Sequence, residues 1–552
     1  MKNRNKWWET GVIYQIFPLT FADANGDGSG DIEGIIQKLD YLNDGDLTSQ
    51  TSLHIDAIWL SPINKSPMYD SGYDVSDYCQ IAPVFGTSED FDRLIDKAHQ
   101  RGIKIILDLV INHTSDRHPW FIESSSSRDN SKRDWYHWQD PVEGEVPNNW
   151  LSFYNGTAWT YCEAREQYYY HTFAKQQPDL NWHNLEVKQA IYDMIRYWLD
   201  KGVDGFRLDA SSVYSQDKEY RDNPFKLGAK DKNNFDSQHH LYDKDLAENH
   251  QIIKEIRAII EQYEDRVLIG ETFIDSRLYE SVVFYGVNND ELHLPFTFDF
   301  PFSPWYPGHL QKEIAKKELM TPKNAWAVYF LDNHDIPRHL SRWVDCSLCD
   351  NPVGIAKAAA TILLTVRGTP VLYYGQEIGM VDHENIPSEK MRDRVSIDQQ
   401  GESASRDGLR TPMQWDDSPH AGFSFGKDVE PWLPVNDNYK EVNVEREFDD
   451  PNSILNFYKY LIKVRKNSRA LQQGSWRTLI HYPYEHLAYV RETETEQILV
   501  TINFSYEKEL SLDEKLKPGK WQVLLSTDYK PDIIIDLPQI LKPFESSIFK
   551  RC

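Results

Sequence analysis

Short apolar runs alternate with stretches of helical period along most of this chain. The run VIYQIFP (12–18) precedes IEGIIQKLDYL, AIWLSPI (57–63) precedes SEDFDRLIDKAHQRG, and KIILDLVINH (104–113) precedes, at a distance, NLEVKQAIYDMIRYWLDKG. The alternation continues with GFRLDA (205–210) and QIIKEIRAIIEQY, VLIGETF and SRLYESVVFYG, and LHLPFTFDF and LQKEIAKKEL. AWAVYFLDNHD with VGIAKAAATILL, and VLYYGQE with ILNFYKYLIKVRK, complete it. These eight strand-helix units predict an α/β fold built on a (β/α)8 TIM barrel. Between the third strand and its helix, residues 114–181 are rich in Trp, Tyr, Asn and Pro. They are too many for a bare connection and are expected to form an inserted domain. After about residue 470 the period becomes two, in HLAYVRE, QILVTINF, WQVLLST and SSIFK, which predicts a C-terminal antiparallel β-sandwich. The expected division is a barrel of 1–113 and 182–470, an insert of 114–181 and a terminal domain of 471–552.

The length of 552 residues exceeds one ordinary core, in line with that division. A formal charge of −26 disfavours nucleic acid and anionic membranes and leaves a small neutral molecule or a cation as the easier partner. No run of about 18 apolar residues occurs, and the opening MKNRNKWWETGVIYQ has no apolar stretch of signal-peptide type. The expectation is a soluble, cytoplasmic protein without nucleic-acid or membrane partners, a monomer or small homo-oligomer. Five cysteines are too sparse for a disulfide framework. Cys346 and Cys349 form a lone CxxC with no second pair, and are read as loop thiols.

The polar residues at the ends of the apolar runs carry the chemistry. Asp108, Asp209, Glu271 and Asp335 each close or nearly close a predicted strand, with Asn112, His113, Arg207 and His334 beside them. In a barrel of this type the strand C-termini form one rim, where active sites lie. One ionised and one protonated carboxyl, about 5–5.5 Å apart, are what glycosidic cleavage with retention requires. A single acid at a strand end is as readily a helix cap; the whole set is poorly explained that way. An aromatic content of 13%, with 17 Trp and 31 Tyr, supplies core and also rings that stack on sugars.

Longer segments now match a known pattern. GVIYQIFPLTFADANGDGSGDIEGI, MYDSGYDVSDY, DLVINHTSDRHPWF, QPDLNW, GVDGFRLDA, IGETF, DNHDIPR, RGTPVLYYGQEIG and RDGLRTPMQW occur in that order. The chain thereby resembles the α-amylase family of glycoside hydrolases, in its α-glucosidase and oligo-1,6-glucosidase branch, over nearly its full length. The resemblance implies Asp209 as nucleophile, Glu271 as acid/base and Asp335 as the third carboxylate, with Arg207 holding Asp209 ionised. It implies His113 and His334 as donors to sugar hydroxyls, and Asp74 with Arg406 as a pair gripping the 4-OH of a terminal glucose in a blind pocket. Tyr73 or Tyr78 is a candidate to stack on that glucose. The implied activity is a retaining, exo-acting α-glucosidase on small neutral oligosaccharides. Alternatives are an oligo-1,6-glucosidase, or a sucrose-active hydrolase, transglucosidase or isomerase on the same scaffold. Non-enzymatic subunits of some amino-acid transporters share this resemblance, but they lack the full set of acids that this chain has.

Three details bear on the finer reading. Asp23, Asn25, Asp27, Ser29 and Asp31 alternate as in a calcium loop, but the twelfth position is Gly34 instead of a bidentate Glu, so this is no EF-hand. Related enzymes carry a Ca²⁺ loop here, and structural Ca²⁺ is expected, with Ser29 offering its backbone carbonyl. After the nucleophile stands Ala210, where 1,6-specific relatives tend to have Val, so an α-1,4 preference of the maltose type is expected; the effect is modest, about 1–3 kcal/mol. Asp332 and the SSVY segment depart from the family pattern and are expected near the acceptor side, and residues 214–245 are expected as a loop over the entrance.

Overall fold

A computed structural model describes residues 6–272, 282–344, 351–426, 428–479, 485–511, 519–528, 531–537 and 540–552. Eight parallel strands form the central sheet: β1 (Ile13–Ile16), β2 (Ala57–Leu60), β3 (Lys104–Leu109), β4 (Gly205–Leu208), β5 (Val267–Glu271), β6 (Leu294–Phe296), β7 (Val328–Tyr329) and β8 (Thr369–Tyr373). Ladders run in the order β6-β5-β4-β3-β2-β1-β8-β7. Between β6 and β7 the ring closes through side chains, with the Phe296 and Phe330 rings stacked at 5.0 Å. The sheet is therefore a (β/α)8 barrel.

Strand periodicity sorts the core into two layers. Ile13, Ala57, Trp59, Ile106, Val267, Ile269, Leu294, Phe296, Val328 and Val371 form one buried cluster, the barrel interior. Their strand neighbours Tyr14, Ile58, Leu60, Ile105, Leu107, Phe206, Leu208, Leu268, Tyr329 and Leu372 belong to the other, beneath the helices. Strands buried on both faces are apolar almost throughout. Gly205 opens β4 because a Cβ there would lie 2.4 Å from the Val267 carbonyl oxygen.

The helices follow their strands: α1 (Ile32–Gln37), α2 (Ser88–Gln100), α3 (Leu185–Asp200), α4 (Ala247–Ile260), α5 (Pro307–Met320), α6 (Pro352–Thr365) and α7 (Ile454–Asn467). In α2, Phe91, Leu94, Ile95 and Ala98 repeat at helical spacing and are buried, and Thr87 and Asp90 close its start as a reciprocal capping box. The predicted helix 32–42 is broken at Lys38, whose backbone leaves helical values before a second short helix, Leu39–Leu42. The predicted helix SRLYESVVFYG and the Cys346/Cys349 pair lie largely or wholly outside the described residues.

Residues 114–181 contain the helix Pro119–Ser126 and a three-stranded antiparallel sheet of Trp138–Gln139, Gln167–Tyr170 and Trp159–Cys162. The chain re-enters the barrel side through bridges between His113 and Asp179 and between Tyr136 and Leu180. C-terminal to α7, Ser475–Thr478, His486–Glu492, Gln497–Asn503, Ser546–Arg551, Lys520–Ser526 and Ile534–Asp536 form a six-stranded antiparallel sheet, and Leu510–Ser511 pairs with Ile540–Leu541. Val490, Leu499, Trp521, Val523 and Phe549 cover one face of the larger sheet. Leu487, Tyr489, Val500, Ile502 and Ile548 join the main core on the other. No helix among the described residues is long and apolar enough to cross a membrane.

Candidate active site

The inward positions that are apolar through most of the barrel become charged at its C-terminal end. Register sets Asp108 on β3 beside Arg207 on β4, and Asp209 and Glu271 continue the inward parity of β4 and β5. Arg207 is fully buried, and its Nη1 donates to Asp108 Oδ1 at 2.8 Å and to Asp209 Oδ1 at 2.7 Å. Its Nη2 lies 2.7 Å from Glu271 Oε2, although that contact is not aligned as a hydrogen bond. One guanidinium thus spans both acids. The Ser211 N–H and hydroxyl both donate to the Glu271 carbonyl, at 3.1 and 2.7 Å, which ties the loops after β4 and β5 together. Ala210 has φ of +47°, a left-handed conformation unusual outside glycine and common at functional sites.

Burial raises the pKa of Asp209 against the pull of Arg207, and the neighbouring Glu271 adds to the rise. Burial likewise raises Glu271, again opposed by Arg207. Two buried carboxyls that share one guanidinium titrate as a pair, and burial favours a proton held between them. The aligned, charge-assisted bond from Arg207 favours the ionised form on Asp209, whereas Glu271 Oε2 accepts from the Ala210 N–H at 3.3 Å.

Asp335 shows the opposite balance. Against burial, His334, Arg406 and Arg410 hold its carboxyl well below the ordinary range. Arg406 Nη1 and Arg410 Nη2 reach Asp335 Oδ1 at 2.8 and 3.0 Å, and His334 Nε2 stands 2.9 Å from Oδ2. Gln15 Nε2 donates to His334 Nδ1 at 2.8 Å, so the ring proton is on Nε2. Burial, together with Arg410 and Arg207, lowers the His334 pKa despite Asp335, and the ring is neutral. Tyr73 stacks on this ring at 5.2 Å, with its hydroxyl 2.5 Å from Nε2, and donates to Asp108 Oδ2 at 2.9 Å.

Above these groups lies a cavity of about 320 Å³, within the range of small-molecule sites. Asp70, Tyr73, His113, Asp209, Glu271, Asp335 and Arg406 form its polar wall, and Phe153, Tyr154 and Phe173 of the insert face them. Phe235 and Lys244 bring part of the 214–245 stretch to the cavity, beside Val213 just before it. His113 is on the wall; burial pushes it down to about 4, and its Nε2 is 3.0 Å from the Tyr73 carbonyl.

Three expectations are corrected. Asp74 does not meet Arg406: it is fully buried behind the wall and accepts from Ser66 Oγ, Tyr69 N and Asp70 N. The acid on Arg406 is Asp70, at 2.9 Å from Nη2, and Gln177 Nε2 donates to its other oxygen at 2.9 Å. His334 stands one layer beneath the cavity and supports Asp335 instead of facing it. Of the two candidate tyrosines, Tyr73 is on the wall and Tyr78 is not, its hydroxyl donating to the His113 carbonyl at 3.0 Å. Asp332 does not reach the acceptor side, because it is buried and accepts from the N–H and Nδ1 of His339, both at 2.7 Å. Sequence reasoning missed Asp70, Gln15, Gln177 and Arg410. Asp70 shares the MYDSGYD segment with Asp74, so a signal was present that could not choose between two acids four residues apart.

In the Asp23–Asp31 loop, Asp23 accepts from Gly26 N and Gly28 N, Asn25 from Asp27 N, and Asp27 from Ser29 N. Asp31 caps α1 through Gly34 N and accepts from Ala24 N and Asn25 N. Among the described residues no three His, Cys, Asp or Glu side chains stand together as a metal group. The donors are all oxygens, the type a hard cation takes.

The α-amylase catalytic-domain family model matches residues 15–474. An oligo-1,6-glucosidase of Parageobacillus thermoglucosidasius is 38% identical, covering 99% of both chains. An α-glucosidase of Candida albicans is 37% identical, again over 99% of each. The solved structure of an isomaltulose synthase mutant from Erwinia rhapontici NX5, in complex with its natural substrate sucrose, superposes with a TM-score of 0.86 at 36% identity, covering 99% of both chains. A barrel with its acids on one rim, a family match over most of its length and relatives similar from end to end make one assignment: this chain belongs to the α-amylase family and is a glycoside hydrolase.

Proposed function

We propose that the protein is a retaining, exo-acting α-glucosidase that releases glucose from the non-reducing ends of short α-glucosides. The observation that supports this reading is the wall of Arg406, Asp70 and Asp335, a guanidinium and two carboxylates of the kind that grips the hydroxyls of a single sugar. Asp209 Oδ1 is engaged by Arg207, so Oδ2 is the oxygen left to bond the anomeric carbon. As that bond forms, the anomeric C–O bond breaks and Glu271 gives its proton to the departing oxygen. Water then attacks the glucosyl ester with Glu271 taking a proton back, and Asp209 leaves as carboxylate. Asp70, Asp108, Asp209, Glu271 and Asp335 outnumber Arg207, Arg406 and Arg410, and with one proton on Glu271 the set is still net negative. A developing oxocarbenium charge is stabilised by such fixed negative charge.

The reading extends to an α-1,4 preference, supported by the small Ala210 on the cavity wall. It extends also to Ca²⁺ at Asp23, Asn25, Asp27, Ser29 and Asp31, supported by the oxygen-only donors. That loop meets residues 423–432 through Asp23 N to Phe423 O and Trp432 N to Gly28 O, at 2.8 and 2.7 Å, so bound Ca²⁺ would supply charge neutralisation where two segments join. The test is turnover on maltose, isomaltose and sucrose with NMR of the first anomer released. Maltose preferred and α-glucose formed first are expected. β-Glucose first would refute retention, strong isomaltose preference would refute the linkage, and an isomerised disaccharide from sucrose would replace hydrolysis by isomerisation.

A further inference from the structure

We propose that Asp393 is a positioning residue that fixes the Arg406 guanidinium so that one terminal nitrogen meets Asp335 and the other meets Asp70. The inference rests on the one-glucose pocket read above. Asp393 is 1% exposed and is not on the cavity wall; besides Arg406, its carboxylate accepts from the Ser396 N–H at 3.4 Å, at the start of the helix Arg394–Gln400. Arg406 Nε and Nη2 donate side-on to its Oδ2 and Oδ1, at 2.9 and 2.8 Å, and the Arg406 backbone N–H donates to Oδ2 at 2.8 Å. A planar fork bound along one edge has no freedom to turn. The remaining edge then presents Nη1 to Asp335 at 2.8 Å and the second Nη2 hydrogen to Asp70 at 2.9 Å. Four of the five N–H groups are thus used, and the fifth, on Nη1, is left for a substrate hydroxyl.

Asp393 is itself held. Its N–H donates to Asp407 Oδ2 at 3.1 Å, an oxygen that also accepts from Arg392 N and Ser405 Oγ at 2.6 and 2.9 Å. Asp393 and Asp407 therefore clasp the two ends of the 393–407 segment, from which Ser396, Gln400 and Ala404 line the cavity. Against burial, Arg406 and Arg410 keep the Asp393 carboxyl ionised. Removing its charge frees an arginine whose long stem otherwise has many rotamers, and a misplacement of about 1 Å at a reacting site can cost 10²-fold in rate.

The full-length enzyme and its Asp393→Asn and Asp393→Glu variants would be compared on p-nitrophenyl α-glucoside and its 4-deoxy analogue, with melting curves alongside. In the unaltered enzyme, deleting the 4-OH should lower kcat/KM by about 10³-fold or more, as in sites built to hydrogen-bond a hydroxyl. In Asp393→Asn, kcat/KM on the intact glucoside should fall by about 10²-fold while the 4-deoxy rate hardly moves, so the 4-OH discrimination shrinks by the same factor. If that variant does not fold, Asp393→Glu, which keeps the charge on a longer stem, carries the same comparison. A folded variant that loses rate equally on both glucosides would overturn the positioning role and make Asp393 a structural residue. An unaltered enzyme indifferent to the 4-OH would instead overturn the one-glucose pocket, and this inference with it.

Discussion

Replacing Arg207 by lysine separates the two acids that one guanidinium now serves. Because Nη1 alone donates to both Asp108 and Asp209, a lysine ammonium placed there retains those two contacts. What is lost is Nη2 beside Glu271. Moving a unit charge from about 4 Å to about 6 Å from that carboxyl, at an effective dielectric of about 20, weakens the attraction from about 4 to about 3 kcal/mol. At 1.36 kcal/mol per unit, the Glu271 pKa should rise by roughly one unit. The sign follows directly: a lost positive neighbour disfavours the carboxylate, so the acid keeps its proton to higher pH. The basic limb of the kcat/KM profile should therefore move up by about one unit, with kcat reduced because deprotonated Glu271 is the base of the second step. Buried charge left unpaired at high pH also costs stability, so the melting temperature should fall more at pH 8 than at pH 5. The assay is a kcat/KM profile on an aryl glucoside with parallel melts. A basic limb that stays in place or moves down would refute the shared-proton account.

Asp70→Asn and Asp74→Asn should divide by function: both set an amide against N–H donors and should lose about 1–3 kcal/mol of stability, but only the first should also lower kcat/KM, by about 10²-fold or more. Equal catalytic losses would contradict the Asp70 assignment. Ala210→Val should shift the maltose-to-isomaltose ratio about tenfold toward isomaltose; it should also lower the melting point, because φ of +47° strains a β-branched residue. An unmoved ratio would remove Ala210 from the specificity reading. Chelation should lower the melting temperature and elemental analysis should find about one calcium per chain; identical melting and no metal would end the calcium proposal.

The two periodicities along the chain carried most of the architecture. Alternation within strands decides which side chains face the barrel axis, and helical spacing decides which face of α2 or α3 is buried; both are local consequences of backbone geometry. The same parity that makes Ile106, Gly205 and Ile269 interior makes Asp108, Arg207, Asp209 and Glu271 converge, so the acids at the rim were readable from the sequence alone. The partners of those groups were not. Arg406 meets Asp70 across 336 residues and Gln15 meets His334 across 319, and no local pattern ranks Asp70 above Asp74 or puts His334 beneath the wall instead of on it. Sequence determined which face each residue takes, because that depends on the strand or helix it occupies. Only the tertiary structure decided which neighbour it finds there, because a hydrogen bond requires two atoms within about 3 Å and loops from distant strands set that distance.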